Sequence, residues 1–328
     1  MFTHLVLEER RNKNVKKIVS IIAPMYNEEG LVHQYCEETI AVMKGIETKI
    51  DYEIILVNDG SKDTTYEKIL SEKQLHPENI SVVCLSRNFG LEGAVSAGLR
   101  KAKGDAVIVM DADLQDPPSL IPEMIEKWEN GADVVVCSRI KRSNDNFLKK
   151  FTANCYYKIL DSLSGKLKLE KSAANFRLLS RKALNELLSL PECNSVFRVT
   201  VPYIGMHTET LEYDRDKRFA GKTKYNLKNM IPYALASITG ISVEPLRKIF
   251  WLLPIDFILF VGSIIGIISG IGYWKAVFTV ILAMSFLTAM LLVSIVVIAE
   301  YIAQIMIEVK GRPISVIYEY LPAEIVER

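Results

Sequence analysis

Three carboxylates fall within six residues in Asp111-Ala112-Asp113-Leu114-Gln115-Asp116, directly after the apolar run AVIVM at 106–110. Carboxylates two apart, at a strand end where the chain can turn, can hold a hard divalent cation. Such an ion takes oxygen ligands and keeps part of its shell for water or phosphate. It would neutralise a diphosphate leaving group. Taken alone, Asp-x-Asp is also what an Asp-rich turn, or an N-cap ahead of a helix at Pro118, presents. The surrounding pattern favours a site, because four other polar clusters follow apolar runs: Pro24-Met25-Tyr26-Asn27-Glu28, Asn58-Asp59-Gly60-Ser61, Ser86-Arg87-Asn88-Phe89-Gly90 and Ser138-Arg139.

The runs themselves are β-branched and short: IVSIIAP (18–24), EIILVND (53–59), ISVVCL (80–85), AVIVMD (106–111) and DVVVCS (133–138). Between most of them lie stretches with helical spacing, such as EEGLVHQYCEETIAVM and EGAVSAGLRKA. Nearly continuous apolar strands alternating with helices predict a Rossmann-like α/β domain, its mainly parallel sheet covered on both faces. In such sheets ligands bind beyond the carboxyl ends of the strands. All five polar clusters fall at those ends.

At 328 residues the chain is long enough for a large domain or two ordinary ones. A formal net charge of +1 and the absence of a basic stripe argue against a nucleic-acid partner. The five cysteines are far apart and form no CxxC pair, so they read as buried thiols in a reducing compartment. The N-terminus MFTHLVLEERRNKNVKK lacks the apolar core of a signal peptide, and export is not expected.

Composition changes near residue 249. Residues 249–274 and 276–299 are each apolar enough to cross a bilayer core, which needs about 20 residues, and only a short turn at 272–275 separates them. They predict a transmembrane hairpin. Arg247, Lys248, Lys310 and Arg312 flank it, against Lys275 alone in the turn, so the positive-inside bias puts both termini in the cytoplasm. Asp256 near the start of the first span reads as an interfacial, water-reached side chain. Residues 226–248, broken by Pro232, Gly240 and Pro245, read as interfacial helices or as a core helix of the soluble domain. The expected organisation is a cytoplasmic α/β domain over 1–225, interfacial helices over 226–248, the hairpin over 249–300 and a cytoplasmic tail over 301–328.

In order, APMYNEE, VNDGSKDTT, LSRNFGLEGAVSAGL, DADLQDPP, NFRLLSRKAL and RFAGKTKY, followed by the hairpin and EVKGRPISVIYE, resemble family 2 glycosyltransferases with the GT-A fold. The resemblance, running from about residue 18 to 320, is to the polyprenyl-phosphate glycosyltransferases, among them bactoprenol glucosyltransferases and dolichol-phosphate mannose synthases. It implies that Pro24, Tyr26, Glu28 and Asp59 line a nucleoside pocket, with Asp111 near the nucleotide. It implies that Asp113 and Gln115 match the site of a Mg²⁺ or Mn²⁺ ion, although Gln115 is also what a surface amide looks like. Arg139 matches an arginine at the acceptor phosphate. Lys150, Arg177, Arg218 and Lys224 are further phosphate candidates or solvated surface charges, with Arg218, Gly221, Thr223 and Lys224 matching the acceptor loop RxxGxSKY.

Two positions depart from the family pattern. Asn175 stands where many bacterial relatives have the aspartate of GDFRL, and an amide cannot serve as a general base. A lipid monophosphate, with a second pKa of about 6, is largely a dianion at neutral pH and can attack without giving up a proton. Leu91 stands where relatives often carry a lysine.

The sequence therefore predicts an inverting, metal-dependent transfer of one sugar from a nucleotide sugar to a polyprenyl phosphate at the cytoplasmic face of the membrane, with Asp113, Arg139 and Asn175 at the reaction centre. UDP-glucose is the first donor expected, with UDP-N-acetylglucosamine, UDP-galactose and GDP-mannose open, and relatives of this kind assemble as homo-oligomers. A processive polysaccharide synthase would carry a QxxRW motif and more spans, and this chain has neither. A non-catalytic nucleotide-binding membrane scaffold is the reading that Asn175 leaves open.

Overall fold

The computed structural model describes residues 16–139, 173–192, 196–214, 246, 249, 252–268 and 272–324. They fall into two compact units, one comprising the described residues before 140, those of 173–214 and 313–324, the other comprising those of 246–312. The first unit is an eight-stranded sheet: β1 (Lys17–Met25), β2 (Ile50–Asn58), β3 (Ile80–Leu85), β4 (Ala106–Val109), β5 (Val134–Arg139), β6 (Ala173–Ser180), β7 (Thr208–Tyr213) and β8 (Ile317–Leu321). Its order is β7-β5-β6-β4-β1-β2-β3-β8. β1 pairs in parallel with β2 and β4, β2 with β3, and β5 with β7. β6 is antiparallel to β4 and β5, and β8 to β3.

The helices are α1 (Val32–Lys44), α2 (Thr65–Leu75), α3 (Leu91–Lys101), α4 (Ile121–Glu129), α5 (Arg181–Ser189) and α6 (Phe197–Tyr203). Because successive strand side chains point to opposite faces, the sheet supports two cores. Val19, Ile21 and Ala23 of β1 pack with Tyr35 and Met43 of α1, Ile69 of α2 and Met124 of α4. Ile22 packs on the other face with Val95 of α3, Leu184 of α5 and Phe197 of α6. The expected α/β sheet covered on both faces is present. It is mixed rather than mainly parallel in its outer half, because β6 enters antiparallel between β4 and β5.

The second unit contains α7 (Leu252–Ile268) and α8 (Tyr273–Lys310). Among the described residues one helix, α8, is long and apolar enough to cross a membrane. Its 38 residues correspond to about 57 Å at 1.5 Å per residue, more than a bilayer core of about 30 Å. The helix itself runs past residue 300, the expected end of the hairpin. EYIAQIMIEVK contains no Gly or Pro, so the helix continues to Lys310 and ends at Gly311, which caps it in the left-handed conformation at φ +59°. Beyond it the expected tail is no tail, because 317–321 return to the sheet as β8. The interfacial stretch 226–248 lies outside the described residues except for Leu246, as do Lys150, Arg218, Gly221, Thr223 and Lys224.

Candidate active site

β1 has β2 on one side and β4 on the other, both parallel to it, so the strand order reverses there, which is where such sheets bind ligands beyond the carboxyl ends of their strands. The loops after β1, β2 and β3 are fastened to one another. Asn27, at φ +51°, receives Lys62 N–H on its side-chain oxygen at 2.8 Å and donates its own N–H to Ser61 Oγ at 3.0 Å. Glu28 N–H donates to Thr65 Oγ1 at 2.8 Å. Gly60 sits at φ +63° so close to the next loop that a Cβ would lie 2.4 Å from the Arg87 carbonyl carbon, which leaves room for glycine alone. Pro24 is buried on β1 just past the last β1–β4 pair, where a missing N–H breaks no bond to β4, and Tyr26 and Glu28 are half-buried at the rim.

Asp59 is 3% exposed, its two carboxylate oxygens accepting Phe89 N–H at 2.7 Å and Gly90 N–H at 2.9 Å. The residue expected in the nucleoside pocket thus also holds the loop beside it. Burial pushes its carboxyl up to about 6, against the downward pull of the two amides and Arg87. A folded-state value raised above the unfolded one, about 3.9, means that the stability Asp59 contributes is fully present below pH 4 and lost as pH rises through about 6. Asp59→Asn does not titrate there. It is expected to gain on wild type by on the order of 3 kcal/mol between pH 4 and 6, although it forfeits an amide bond at every pH. Parallel melting-temperature curves for the two proteins across that range would contradict this.

In the Asp-rich loop, partly buried Asp111, Asp113 and Gln115 alternate with buried Ala112, Leu114 and Asp116. Leu114 takes φ +53° and Asp113 Oδ1 accepts Gln115 N–H at 3.2 Å, so the segment is a turn held by its own carboxylate. The Asp111 carboxyl is pushed up to about 6 by burial and then by Asp116 and Asp113, while Arg139 and Arg198 pull it down. Negative charge is in excess there, and a cation would relieve it. Among the described residues no three His, Cys, Asp or Glu side chains are grouped to hold a metal by themselves. The donor set instead fits a Mg²⁺-like ion, which is held by one or two carboxylates and completed by substrate phosphates and water. Asp113 and Gln115 are the residues that would hold it, with Asp111 beside them.

Arg139 ends β5 on the same rim. Its Nη2 reaches both oxygens of Asp116 at 3.1 and 3.2 Å, and its Nε donates to Tyr213 Oη at 3.2 Å. Tyr213 in turn donates to Asp116, which is 0% exposed. Burial and then the Asp116 carboxylate hold the Tyr213 phenol well above its ordinary range, so it stays a donor. Asp116, Tyr213 and Arg198 are neighbours of the site that the sequence reading assigned no role. Asp116 lay in the quoted motif, but nothing local marked it as the buried partner of an arginine 23 residues on.

Arg177, expected at the acceptor phosphate, is 2% exposed on β6, and its Nη1 donates to the Arg198 carbonyl at 3.1 Å. It is an interior residue here, not one on the open rim. Asn175, two residues nearer the rim end of β6, is 4% exposed, and its Oδ1 has no hydrogen-bond partner among the described residues. Leu91 opens α3 and packs against the second core.

Residues 20–188 match the model of the glycosyl transferase family 2. The chain is 38% identical over 307 residues to the Bacillus subtilis glycosyltransferase YkcC, covering 91% of this chain and 92% of that protein. It is 36% identical over 325 residues to the Synechocystis glycosyltransferase sll0501, covering 93% and 98%. It is 36% identical over 308 residues to the SfII prophage-derived bactoprenol glucosyl transferase of Shigella flexneri, covering 90% and 96%. With a strand-end carboxylate loop inside the matched region and relatives aligned over nearly their whole length, the chain belongs to the family 2 glycosyltransferases.

Proposed function

We propose that this glycosyltransferase moves one hexose from a nucleotide sugar, UDP-glucose first among the donors, to the phosphate of a polyprenyl carrier at the cytoplasmic membrane face, with inversion. The observation that carries the reading is the likeness to bactoprenol glucosyl transferase over 90% of the chain. A lipid phosphate oxygen forms the new bond to the anomeric carbon as the bond from that carbon to the diphosphate oxygen breaks, and a nucleoside diphosphate leaves. A divalent ion, when bound, supplies positive charge for the departing diphosphate. The β1, β2 and β3 loops hold the donor. Arg139, kept in place by Asp116 and Tyr213, meets the acceptor phosphate. Positioning and charge complementarity supply most of the catalysis.

A membrane hairpin fits this acceptor. Described residues before and after the hairpin, up to 213 and from 317, belong to one sheet, which supports an even number of crossings. With α8 as one pass, the apolar composition of α7 and its uncharged neighbours at 249–251 and 269–271 supports α7 as the other. The excess of Lys and Arg outside the hairpin supports a cytoplasmic catalytic domain.

Asn175 requires no proton to be taken from a dianionic acceptor. Wild type incubated with labelled nucleotide sugar and polyprenyl phosphate is expected to yield one sugar per lipid. The rate should fall as pH drops through about 6, and Asn175→Asp should change it only a few-fold. A difluoromethylene phosphonate acceptor, with its lower second pKa, should move the acid limb downward. A polymeric product would favour a processive synthase. An inactive wild type that Asn175→Asp revives would overturn the dianion mechanism.

A further inference from the structure

We propose that the segment after α8, residues 313–324, is a positioning strap for the nucleotide donor, acting through Val316 and Glu319 on the two loops that end β3 and β2. This rests on the reading of those loops as the donor pocket. β8 pairs with β3 through Val82↔Leu321, Val83↔Tyr320 and Cys84↔Glu319, then shifts register at a bulge before Leu85↔Ile317. Just past the bulge, Ser86 N–H donates to the Val316 carbonyl at 3.0 Å. Ser86 opens the loop whose Phe89 and Gly90 amides bind Asp59. Ahead of Val316 the strap lies against the first turn of α3. A Cβ on Gly93 would sit 2.7 Å from Phe89 Cβ and 3.4 Å from the Ile314 carbonyl oxygen, so the loop, the helix and the strap are in close contact.

The second attachment is to the first turn of α2, the helix that follows the β2 loop. Tyr66, the second residue of α2, donates its hydroxyl to the Glu319 carboxylate, and Tyr66 follows Thr65, which holds Glu28 N–H. The Glu319 hydrogen bond and then burial raise the Tyr66 phenol far above its ordinary range, so it remains the donor. The far end of the strap is also fastened. Lys73 Nζ bonds the Pro322 carbonyl at 2.8 Å, and Ala323 N–H donates to Ser81 Oγ at 2.8 Å. With its register fixed at both ends, the strap sets where Ser86 and Tyr66 stand. An edge strand that only shielded β3 would need the ladder alone. The contact past the bulge reaches the β3 loop itself, and the contact to α2 reaches the turn whose Thr65 holds Glu28 N–H.

The test measures UDP affinity with Mg²⁺, acceptor KM and melting temperature on the full-length protein in detergent. A hydrogen bond is worth about 0.5–1.5 kcal/mol net, so Tyr66→Phe and Glu319→Ala are each expected to weaken UDP binding about 3- to 10-fold with acceptor KM unchanged. Glu319→Gln, which keeps an acceptor for the Tyr66 hydroxyl, should recover most of the loss. Lys101→Ala is the control, because it removes the ammonium 4.8 Å from the Tyr320 ring and loosens the strand without touching either loop. It should lower the melting temperature and leave UDP affinity intact. Tyr66→Phe and Glu319→Ala proteins that melt earlier but bind UDP like wild type would overturn the strap. A wild type that binds neither UDP nor GDP would overturn the donor reading beneath it.

Discussion

Asp113→Ala is expected to reduce sugar transfer at least about 1,000-fold. Compensation of a diphosphate leaving group by a divalent ion is worth several kcal/mol, and each 1.36 kcal/mol is tenfold in rate. Asp113 is partly exposed, and its Oδ1 accepts the Gln115 N–H at 3.2 Å. Asp113→Asn keeps an oxygen for that amide and loses only the charge. The asparagine protein should therefore melt like wild type and still fail to turn over, which separates metal binding from the shape of the turn. Wild type in excess chelator should be equally inactive, with activity restored by Mg²⁺ or Mn²⁺. Full activity of Asp113→Ala, or of wild type under chelation, would refute a metal at this loop.

The half of the sheet that carries the rim was legible because β1 to β5 are short apolar runs whose polar ends stand out in sequence. The other strands hid for physical reasons. β6 reads AANFRLLS and buries Asn175 and Arg177, so a hydropathy pattern breaks where the fold places its interior polar groups. β7 reads TETLEY, and its exposed threonines and glutamates resemble a loop. β8 is five residues long and meets β3 more than 230 residues away in the chain, a pairing that no local signal encodes. The same holds for the site. The Asp-rich loop and Arg139 declared themselves by type and position. That Asp116 is the buried counter-ion of Arg139, and that Asp59 spends both oxygens on the neighbouring loop, depends on contacts between residues 23 to 31 positions apart.

Arg139→Ala should give the largest combined loss of stability and activity. The loss alone cannot assign the residue, because Asp116 is 0% exposed and would be left as a buried charge without its guanidinium. Removing one partner of such a pair costs about 3–5 kcal/mol, which is much of a domain's total stability. Arg139→Lys separates the two roles. It keeps a cation for Asp116, so the melting temperature should fall far less than in the alanine protein. It also gives up the planar fork, and with it the bidentate recognition of phosphate that an ammonium cannot reproduce. The bonds to Asp116 and Tyr213 use Nη2 and Nε, and 29% of the side chain is exposed. A charged hydrogen bond contributes about 1.5–3 kcal/mol. The lysine protein is therefore expected to raise the KM for polyprenyl phosphate about 10- to 150-fold while UDP affinity stays within two-fold of wild type. An unchanged acceptor KM in a folded Arg139→Lys protein would make Arg139 a structural partner of Asp116 and nothing more. A fall in UDP affinity alone would move it from the acceptor to the nucleotide.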